Sequence, residues 1–271
     1  MHHYTTENIR NIALVGQSDT GKTILTEALL HQAGTIKTQG KIESGNTVCD
    51  FEPLEKEYQH SLNTAVVSLE QHDKHINILD TPGSPDLMGH SLSSLSAVET
   101  AAVVINAASG IEMVTRRMLD RAAEQKLCRM IIINKIDAQE LHLPELVANI
   151  KETFGKECLP INLPAENGTK VVDCFFNPTG ESDFGTVAAA HTEIIDQVVE
   201  VDDELMEIYL EQGEDITPEQ LHEPFEKALR DGHLIPICFV SARTGAGIPE
   251  LLDIFTRLMP CPLEGNPRPV S

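Results

Sequence analysis

The stretch GQSDTGKT (residues 16–23) decides the fold class of this 271-residue chain, because it fits the pattern G-x-x-x-x-G-K-[ST]. It follows the apolar run NIALVG (11–16), typical of a buried strand, and precedes ILTEALLHQAG (24–34), whose apolar residues recur at helical spacing. Glycines in such a loop let backbone amides wrap a phosphate, and the N-terminus of the helix adds positive potential. The loop is therefore expected to bind nucleotide phosphates, with Lys22 reaching the β- and γ-phosphates and the Thr23 hydroxyl binding magnesium.

Further apolar runs predict the sheet around this loop. AAVVINAA (101–108), RMIIINK (129–135) and LIPICFVSA (234–242) are apolar on both sides, and amphipathic segments lie between them. TAVVSLEQ (64–71) and HINILD (75–80) predict two more strands joined by a polar turn. Continuous Val/Ile runs separated by helices predict an α/β fold with a mostly parallel sheet and helices on both faces.

The pattern changes between residues 158 and 233. NGTKVVDCFFNPTGE (167–181) predicts short strands with turns, and HTEIIDQVVEVDDELMEIYLEQGEDI (191–216) predicts one or two acidic helices. TPEQLHEPFEKALRDG (217–232) predicts another helix, with a Thr cap and a Pro in its first turn. We interpret this segment as an inserted α+β subdomain.

The expected organisation is therefore a nucleotide-binding domain of residues 1–157 and 234–260, interrupted by the inserted subdomain of residues 158–233. The Pro-rich residues 261–271 are typical of a linker. Residues 35–62 are polar and mixed, and they predict a long loop, which in a compact domain is usually functional or mobile.

Composition excludes several classes of function. The net charge of −22 argues against broad binding of DNA or other nucleic acid, and the absence of Trp argues against a base-stacking surface. There is no run of about 18 apolar residues to span a membrane and no secretory signal pattern at the start. Six scattered cysteines without a CxxC pair make a zinc site unexpected and indicate reduced, buried thiols in a cytoplasmic protein.

The stretch DTPGS (80–84) ends the run HINILD. A carboxylate at this strand end, Asp80, can hold magnesium through a water, and Gly83 leaves its amide free for a γ-phosphate. The alternative is a simple Pro-Gly turn that ends the strand. The phosphate loop upstream favours the functional interpretation.

NKID (134–137) ends the run RMIIINK, and its side chains suit a guanine base. Asp137 can accept two hydrogens, from the N1 and the exocyclic amine of guanine, which adenine does not offer in that pattern. Asn134 is expected to tie this loop to the phosphate loop, and the Lys135 stem to cover the base. Ser241 and Ala242 end the last predicted strand, where a backbone amide can meet the guanine oxygen. As isolated short motifs, NKID and SA would be weak signals, since strand-end turns share this composition.

The order of the motifs carries more information than any one of them. The phosphate loop, DTPG, NKID and SA each come at a strand end, and ligands of such sheets bind outside the carboxyl ends of the strands. The sequence therefore predicts a site for GTP or GDP with Mg²⁺.

With these motifs in place, the whole chain resembles the translational GTPases, and most closely elongation factor G. The resemblance implies a Ras-like P-loop GTPase fold, the ribosome as partner, and a chain that is the G domain of a longer protein, its end PCPLEGNPRPV resembling the junction to a second domain. It implies that Asp19 helps to hold a monovalent cation near the phosphates, and that Ser61 stands at the magnesium-binding position of the first switch. The insertion resembles the extra subdomain of that family, with ELMEIYL (204–210) as a close local match. The nucleotide-contacting set implied is Gly16, Gln17, Ser18, Asp19, Thr20, Gly21, Lys22, Thr23, Asp80, Gly83, Asn134, Lys135, Asp137, Ser241 and Ala242.

Three departures from the family pattern bear on hydrolysis. Ser61 replaces a threonine but keeps the hydroxyl, and the family's RGIT stretch is YQHS (58–61) here. Ser84 replaces the histidine that in the family orients the attacking water. The catalytic candidates are Lys22, Gly83 and Ser84. Because a serine is too short to span that gap, its presence at position 84 predicts slow hydrolysis. His60 in the first switch, or His90, could substitute, although solvated loop histidines are the plainer interpretation.

Alternatives remain open at this point. The chain could be a GTP-hydrolysing switch, a non-hydrolysing GTP-bound module that docks on the ribosome, or the G domain of a ribosome protection or release-factor-recycling GTPase. The acidic segment VDDELMEIYLEQGED (201–215) could dock a basic protein of the ribosomal stalk or simply be a solvated helix face. A monomer without membrane contact is expected.

Overall fold

A computed structural model describes residues 4–212 and 218–265 of the chain. Within these residues, seven strands form one sheet in the order β2-β3-β1-β4-β5-β9-β6, and β7 and β8 form a separate hairpin. The strands are β1 (Ile9–Val15), β2 (Ala65–Gln71), β3 (Lys74–Asp80), β4 (Thr100–Asn106), β5 (Cys128–Asn134), β6 (Cys158–Pro160), β7 (Asn162–Ala165), β8 (Lys170–Asp173) and β9 (Ile235–Phe239). The helices are α1 (Lys22–Gln32), α2 (Pro53–Tyr58), α3 (Met88–Leu95), α4 (Met113–Glu124), α5 (Leu143–Phe154), α6 (Val187–Val199), α7 (Asp203–Gln212), α8 (Pro218–Asp231) and α9 (Ile248–Arg257), with short 3-10 turns at Thr6–Asn8, Ile42–Ser44 and Pro85–Leu87.

The burial of each strand follows its place in the sheet. β9 is buried at every residue and β4 at all but its last, which matches their continuous apolar sequence. β2 lies at an edge, pairs antiparallel with β3, and exposes residues such as Val66, whereas the other neighbouring strands pair parallel. The predicted fold class, a mostly parallel α/β sheet with helices, is confirmed.

The topology puts the strand ends that carry the motifs at one edge of the sheet. From β1 the chain passes through α1 to β2 and then to β3, which lies next to β1 in the sheet. β4 then lies on the other side of β1. Because parallel crossovers are right-handed, this reversal places α1 and the pair α3–α4 on opposite faces. It also makes the end of β1 the point where the strand order reverses, the usual location of a ligand in an open α/β sheet.

Three local features differ from the sequence prediction. β6 pairs parallel with β9, with Cys158 opposite Ile235, so the strand at the start of the predicted insertion belongs to the main sheet. The expected loop of residues 35–62 contains the helix α2 and the turn at Ile42–Ser44. Helix α3 follows DTPGS although its serine-rich sequence gives a weak helical signal.

The insertion packs on the sheet through one continuous apolar core. Phe175 and Phe225 touch each other, with ring centroids 4.6 Å apart, and both are buried with residues of β5 and β9. All six cysteines are buried and free of disulfide bonds. Within residues 4–212 and 218–265, no helix has the length and apolar content that a membrane crossing needs. The predicted Thr cap at 217, residues 213–216 and most of the predicted linker lie outside the described residues.

Candidate nucleotide-binding site

A cavity of about 1200 Å³ opens at the carboxyl edge of the sheet. It is lined by the phosphate loop, the segment before β2, DTPGS, NKID and the end of β9. The structure therefore brings together the four motifs that lie far apart in the sequence. The predicted residues that line it are Ser18, Asp19, Gly21, Lys22, Thr23, His60, Ser61, Gly83, Ser84, Asn134, Lys135, Asp137 and Ala242.

The conformation of the phosphate loop requires its glycines. Gly16 has φ of 139° and lies so close to the carbonyl of Val104 on β4 that a methyl group there would overlap it. Gly21 has φ of 87°, and a methyl group would stand 2.6 Å from Asn134 Nδ2. Thr20 Oγ1 donates to Gln17 O at 3.0 Å and closes the turn between them. The loop is thus held in one shape between β4 and NKID.

Lys22 is buried beneath the loop and spans its carbonyl groups. Its Nζ donates to Gly16 O at 2.9 Å and to Gln17 O at 2.8 Å. Burial lowers the pKa of Lys22 to about 8, and the negative charges of Asp80 and Asp19 oppose that fall. The ammonium therefore stays mostly protonated at neutral pH and offers a cation to a phosphate.

Four oxygen-bearing side chains converge beside the lysine. Thr23 Oγ1 donates to Asp80 Oδ2 at 2.7 Å and lies 3.1 Å from Ser61 Oγ, which donates to Asp50 Oδ1 at 2.7 Å. The other oxygen of Asp80, Oδ1, is buried and has no hydrogen-bond partner among the described residues. Hydroxyl and carboxylate oxygens are the ligands that Mg²⁺ prefers, so this donor set fits a magnesium ion.

Burial of the two carboxylates in this cluster disfavours their charged forms, and neighbouring groups oppose that effect. Burial raises the pKa of Asp80 to about 6, although the Thr23 hydrogen bond and the Lys22 charge lower it. Burial likewise raises the pKa of Asp50, and the hydrogen bond from Ser61 works against the rise. A cation between these groups would relieve the penalty that the folded chain carries for them.

NKID and the end of β9 meet through Asn134. Its Nδ2 donates to Thr20 O of the phosphate loop at 2.9 Å, and its Oδ1 accepts the amides of Lys135 at 2.8 Å and Ala242 at 3.0 Å. One buried side chain thus fastens three loops. A backbone amide at Ser241 or Ala242 was expected to meet the guanine oxygen, and the Ala242 amide donates to Asn134 in this arrangement.

Asp137 faces the cavity with its carboxylate oriented by two neighbours. Ser241 Oγ donates to Oδ1 at 2.6 Å, and Arg243 forms an ion pair with Oδ2. Burial opposes the charge, but these hydrogen bonds outweigh it and hold the pKa of Asp137 below its usual value. The group is a fixed, ionised acceptor, as recognition of two donor hydrogens requires.

The residues that bear on hydrolysis lie around the phosphate end. Gly83 approaches the phosphate loop so closely that a methyl group would stand 2.5 Å from Lys22 Nζ and 2.6 Å from Ser18 N. Ser84 and His60 both line the cavity, and the exposed His90 on α3 is not among its lining residues. Of the two candidate histidines, only His60 is brought to the site.

Three contributors to the site were missed by the sequence prediction. Asp50 joins the oxygen cluster from the segment before β2, and Arg243 pairs with Asp137. Glu27 on α1 is fully buried and accepts the amides of Gly40 at 2.7 Å and Val48 at 2.5 Å. A glutamate inside an otherwise apolar helical stretch was the available signal for Glu27. Asp50 and Arg243 carry no comparable local signal.

Fold and site together define a P-loop nucleotide-binding domain, and the comparisons with known proteins specify the family. The chain matches the family described as "Elongation factor Tu GTP binding domain" over residues 7–261. The chain belongs to this family, and its ligand is a guanine nucleotide with Mg²⁺.

Relatives and solved structures agree with that assignment. The chain is 33% identical over 269 residues to an "Elongation factor G-like protein" of Mycobacterium tuberculosis, covering 94% of this chain and 38% of that protein. It is 31% identical over 252 residues to "Tetracycline resistance protein TetW" of Butyrivibrio fibrisolvens, covering 92% of this chain and 37% of that protein. A crystal structure of a Thermus thermophilus protein is similar with a TM-score of 0.85 at 32% identity, covering 95% of this chain and 41% of that one. The chain thus spans about two fifths of the length of these proteins.

Proposed function

We propose that this chain is the GTP-binding switch of a translation factor similar to elongation factor G, which acts on the ribosome in the cytoplasm. The observation that carries the proposal is the cavity lined by Lys22, Thr23, Ser61 and Asp137, with Asp80 hydrogen-bonded to Thr23 behind it. The similarity to a protein named as elongation factor G-like supports the ribosomal role.

Each part of the cavity takes one part of the nucleotide. The amides of residues 16–23 and the Lys22 ammonium hold the phosphates, and Thr23, Ser61 and Asp80, the last through a water, hold the metal. Magnesium, when bound, neutralises charge on the phosphate oxygens. Asp137 accepts the N1 and amine hydrogens of guanine, while Lys135, Ser241 and Ala242 border the base. Asp19, which lines the cavity, is the residue we assign to a monovalent cation near the phosphates.

We further propose that hydrolysis is slow because Ser84 stands where the family has a histidine. The hydroxyl reaches less far than an imidazole and carries no positive charge at any pH. Phosphoryl transfer depends mainly on positioning and charge stabilisation, so the missing group lowers the rate by roughly 100-fold or more. The imidazole of His60, which also lines the cavity, supports the residual rate.

Single-turnover GTP hydrolysis, with and without ribosomes, tests this assignment. We expect Ser84→His to raise the rate at least tenfold and His60→Ala to lower the residual rate. The matched control is Ser68→His on the exposed face of β2, which adds the same imidazole away from the cavity and should change nothing. A wild-type chain as fast as an ordinary elongation factor on ribosomes would refute the role given to Ser84.

The main alternative is a non-hydrolysing module that binds GTP and docks on the ribosome. The same Ser84 favours it, and multiple-turnover phosphate release separates the two, because the module would release none. A ribosome protection function is favoured by the similarity to TetW, and release-factor recycling is a third possibility that shares this domain. Functional assays of the longer protein distinguish these roles.

Two finer features complete the proposal. Helix α7 exposes Asp203, Glu204 and Glu207, and we assign this face to a basic protein of the ribosomal stalk. Charge-reversal of Glu204 and Glu207 should weaken co-sedimentation with ribosomes. The chain acts as a monomer, which sedimentation equilibrium checks directly.

A further inference from the structure

The β7–β8 hairpin of the insertion presses its tip against the guanine-recognition loop. Gly168, at this tip, is buried and has φ of 73°. A methyl group on it would overlap the carbonyl oxygen of Ile136 and stand 3.6 Å from the amide nitrogen of Asp137. The backbone of the hairpin therefore touches the backbone that immediately precedes the carboxylate assigned to guanine.

The tip is held rigidly in this position. Glu166, Asn167 and Gly168 have φ of 52°, 58° and 73°, three consecutive residues in the left-handed region. The Asp183 carboxylate accepts the amides of Asn167 and Gly168, both at 2.9 Å, and its own amide donates to Pro164 O at 2.7 Å. The loop after β8 thus fixes the shape of the tip that contacts Ile136.

The same hairpin also fixes the other base-recognition segment. Asn162 on β7 exchanges two hydrogen bonds with Phe239, receiving its amide at 2.7 Å and donating to its carbonyl at 3.1 Å. The Phe184 ring meets the Phe239 ring edge-on at 5.8 Å. Phe239 lies two residues before Ser241, whose hydroxyl donates to Asp137. The insertion therefore contacts both the backbone that precedes Asp137 and the strand that leads to Ser241.

We propose that the β7–β8 hairpin is a positioning element for Asp137 and sets the affinity of the site for the guanine base. The inference rests on the proposed role of Asp137, because the contacts that carry it are made with the two loops that hold this residue. The insertion would then affect nucleotide binding, since any partner that shifts the hairpin would change the affinity of the site for guanine.

Gly168→Ala tests the contact, and Gly185→Ala is its matched control. Gly185 belongs to the same insertion and has φ of 68°, but within the described part of the chain, its two sequence neighbours aside, no heavy atom lies within 4 Å of an added methyl group. Both variants carry the same backbone strain, and only Gly168→Ala pushes on Ile136. The probes are GDP and inosine diphosphate. Inosine diphosphate lacks the exocyclic amine from which Asp137 would accept a hydrogen bond.

For Gly168→Ala we expect Kd for GDP to rise about tenfold or more and the preference for GDP over inosine diphosphate to fall toward one. Gly185→Ala should leave both within about twofold of wild type. If Gly168→Ala does not fold, Asp183→Ala removes the hydrogen bonds to the tip and should move the preference in the same direction by a smaller factor.

Two results would overturn the proposal. Gly168→Ala could match Gly185→Ala, or it could weaken GDP and inosine diphosphate equally, which would make the hairpin a purely structural support. A wild-type chain that binds both nucleotides equally would instead refute the guanine role of Asp137 itself, and with it the proposal that depends on it.

Discussion

At the scale of single residues, the site holds charge in places where folding alone would not tolerate it. Asp80 is only 1% exposed, and its Oδ1 lacks a partner among the described residues. A buried polar atom left in this way reduces stability unless a ligand satisfies it. The nucleotide-free chain is therefore expected to be less stable than it would be with a neutral side chain at this position.

Asp80→Asn should stabilise the nucleotide-free chain while weakening its affinity for GTP with Mg²⁺. The amide keeps an acceptor for the Thr23 hydroxyl and removes the buried charge. The pKa of Asp80 is about 6 in the fold against 3.8 ordinarily, so the folded state binds more protons between those values and stability falls as pH rises through them. At pH 7.5 the variant should gain about 2–3 kcal/mol in free energy of unfolding.

Urea denaturation at several pH values measures the difference. The gap between Asp80→Asn and wild type should narrow as pH falls from about 6 toward 4, where the aspartate is protonated in the fold. Asp86→Asn, on the exposed turn after DTPGS, changes the net charge equally and should show no such gap. A variant less stable than wild type at neutral pH would contradict the prediction.

The candidate residues that the sequence predicts are those whose motifs are contiguous. Lys22, Asp80 and Asp137 each sit in a short pattern that ends a buried strand, and the sheet then collects the strand ends at one edge. Asp50 and Arg243 reach the same cavity from segments without a diagnostic pattern. Their contribution depends on how those segments pack, which no local spacing reveals.

At the scale of elements, the segment between α1 and β2 is ordered by buried carboxylates on and near it. Glu27 of α1 accepts the amides of Gly40 and Val48, and Glu55 of α2 accepts the amides of Leu62 and Asn63 at 3.0 and 3.1 Å. These hydrogen bonds order the segment that places Ser61 beside Thr23. The predicted long loop is thus a folded segment, because side-chain acceptors replace the ladder that a strand would supply.

Glu27→Gln should loosen this segment without disturbing the sheet. The NH₂ group of the glutamine would face a backbone N–H where the glutamate has an accepting oxygen. One of the two charge-assisted hydrogen bonds is therefore lost, and that backbone N–H loses its acceptor. We expect a loss of about 1–3 kcal/mol in local stability. Hydrogen exchange at Gly40 and Val48 should accelerate roughly 5- to 150-fold, since a loss of 1.4 kcal/mol corresponds to tenfold.

The exposed Glu57 on α2 provides the control, because Glu57→Gln removes an equal charge from within the segment itself without touching the Glu27 contacts. Its exchange pattern should match wild type. Equal acceleration in both variants would mean that net charge, and not the Glu27 contacts, orders the segment.

Element prediction succeeded where periodicity was long and failed where it was short. The seven-residue strands β1, β4 and β5 follow from their apolar runs. β6 has only three residues, and it joins the sheet because β9 offers an edge beside it. A strand of that length has no readable period, so its pairing with β9 could not be predicted from the sequence.

At the scale of the whole molecule, the main sheet and the insertion share their packing. Arg257 of α9 lies 3.7 Å from the ring centroid of Phe176, Phe184 packs on Phe239, and the buried Phe225 belongs to the same apolar core as the sheet. An insertion attached by its two ends alone could unfold by itself. One that contributes side chains to the common core loses those contacts only when the core opens.

We therefore expect one cooperative thermal transition for the chain, although its sequence suggests two units. Differential scanning calorimetry should give equal calorimetric and van't Hoff enthalpies. GDP with Mg²⁺ at about 100 times Kd should stabilise the chain by about 2.7 kcal/mol and move the whole transition upward, insertion included. Amides of α6 in the insertion and β9 in the sheet should share the same increase in protection. A separate transition that stays in place when GDP is added would show that the insertion folds independently, and it would remove the mechanical connection through which the hairpin braces Asp137.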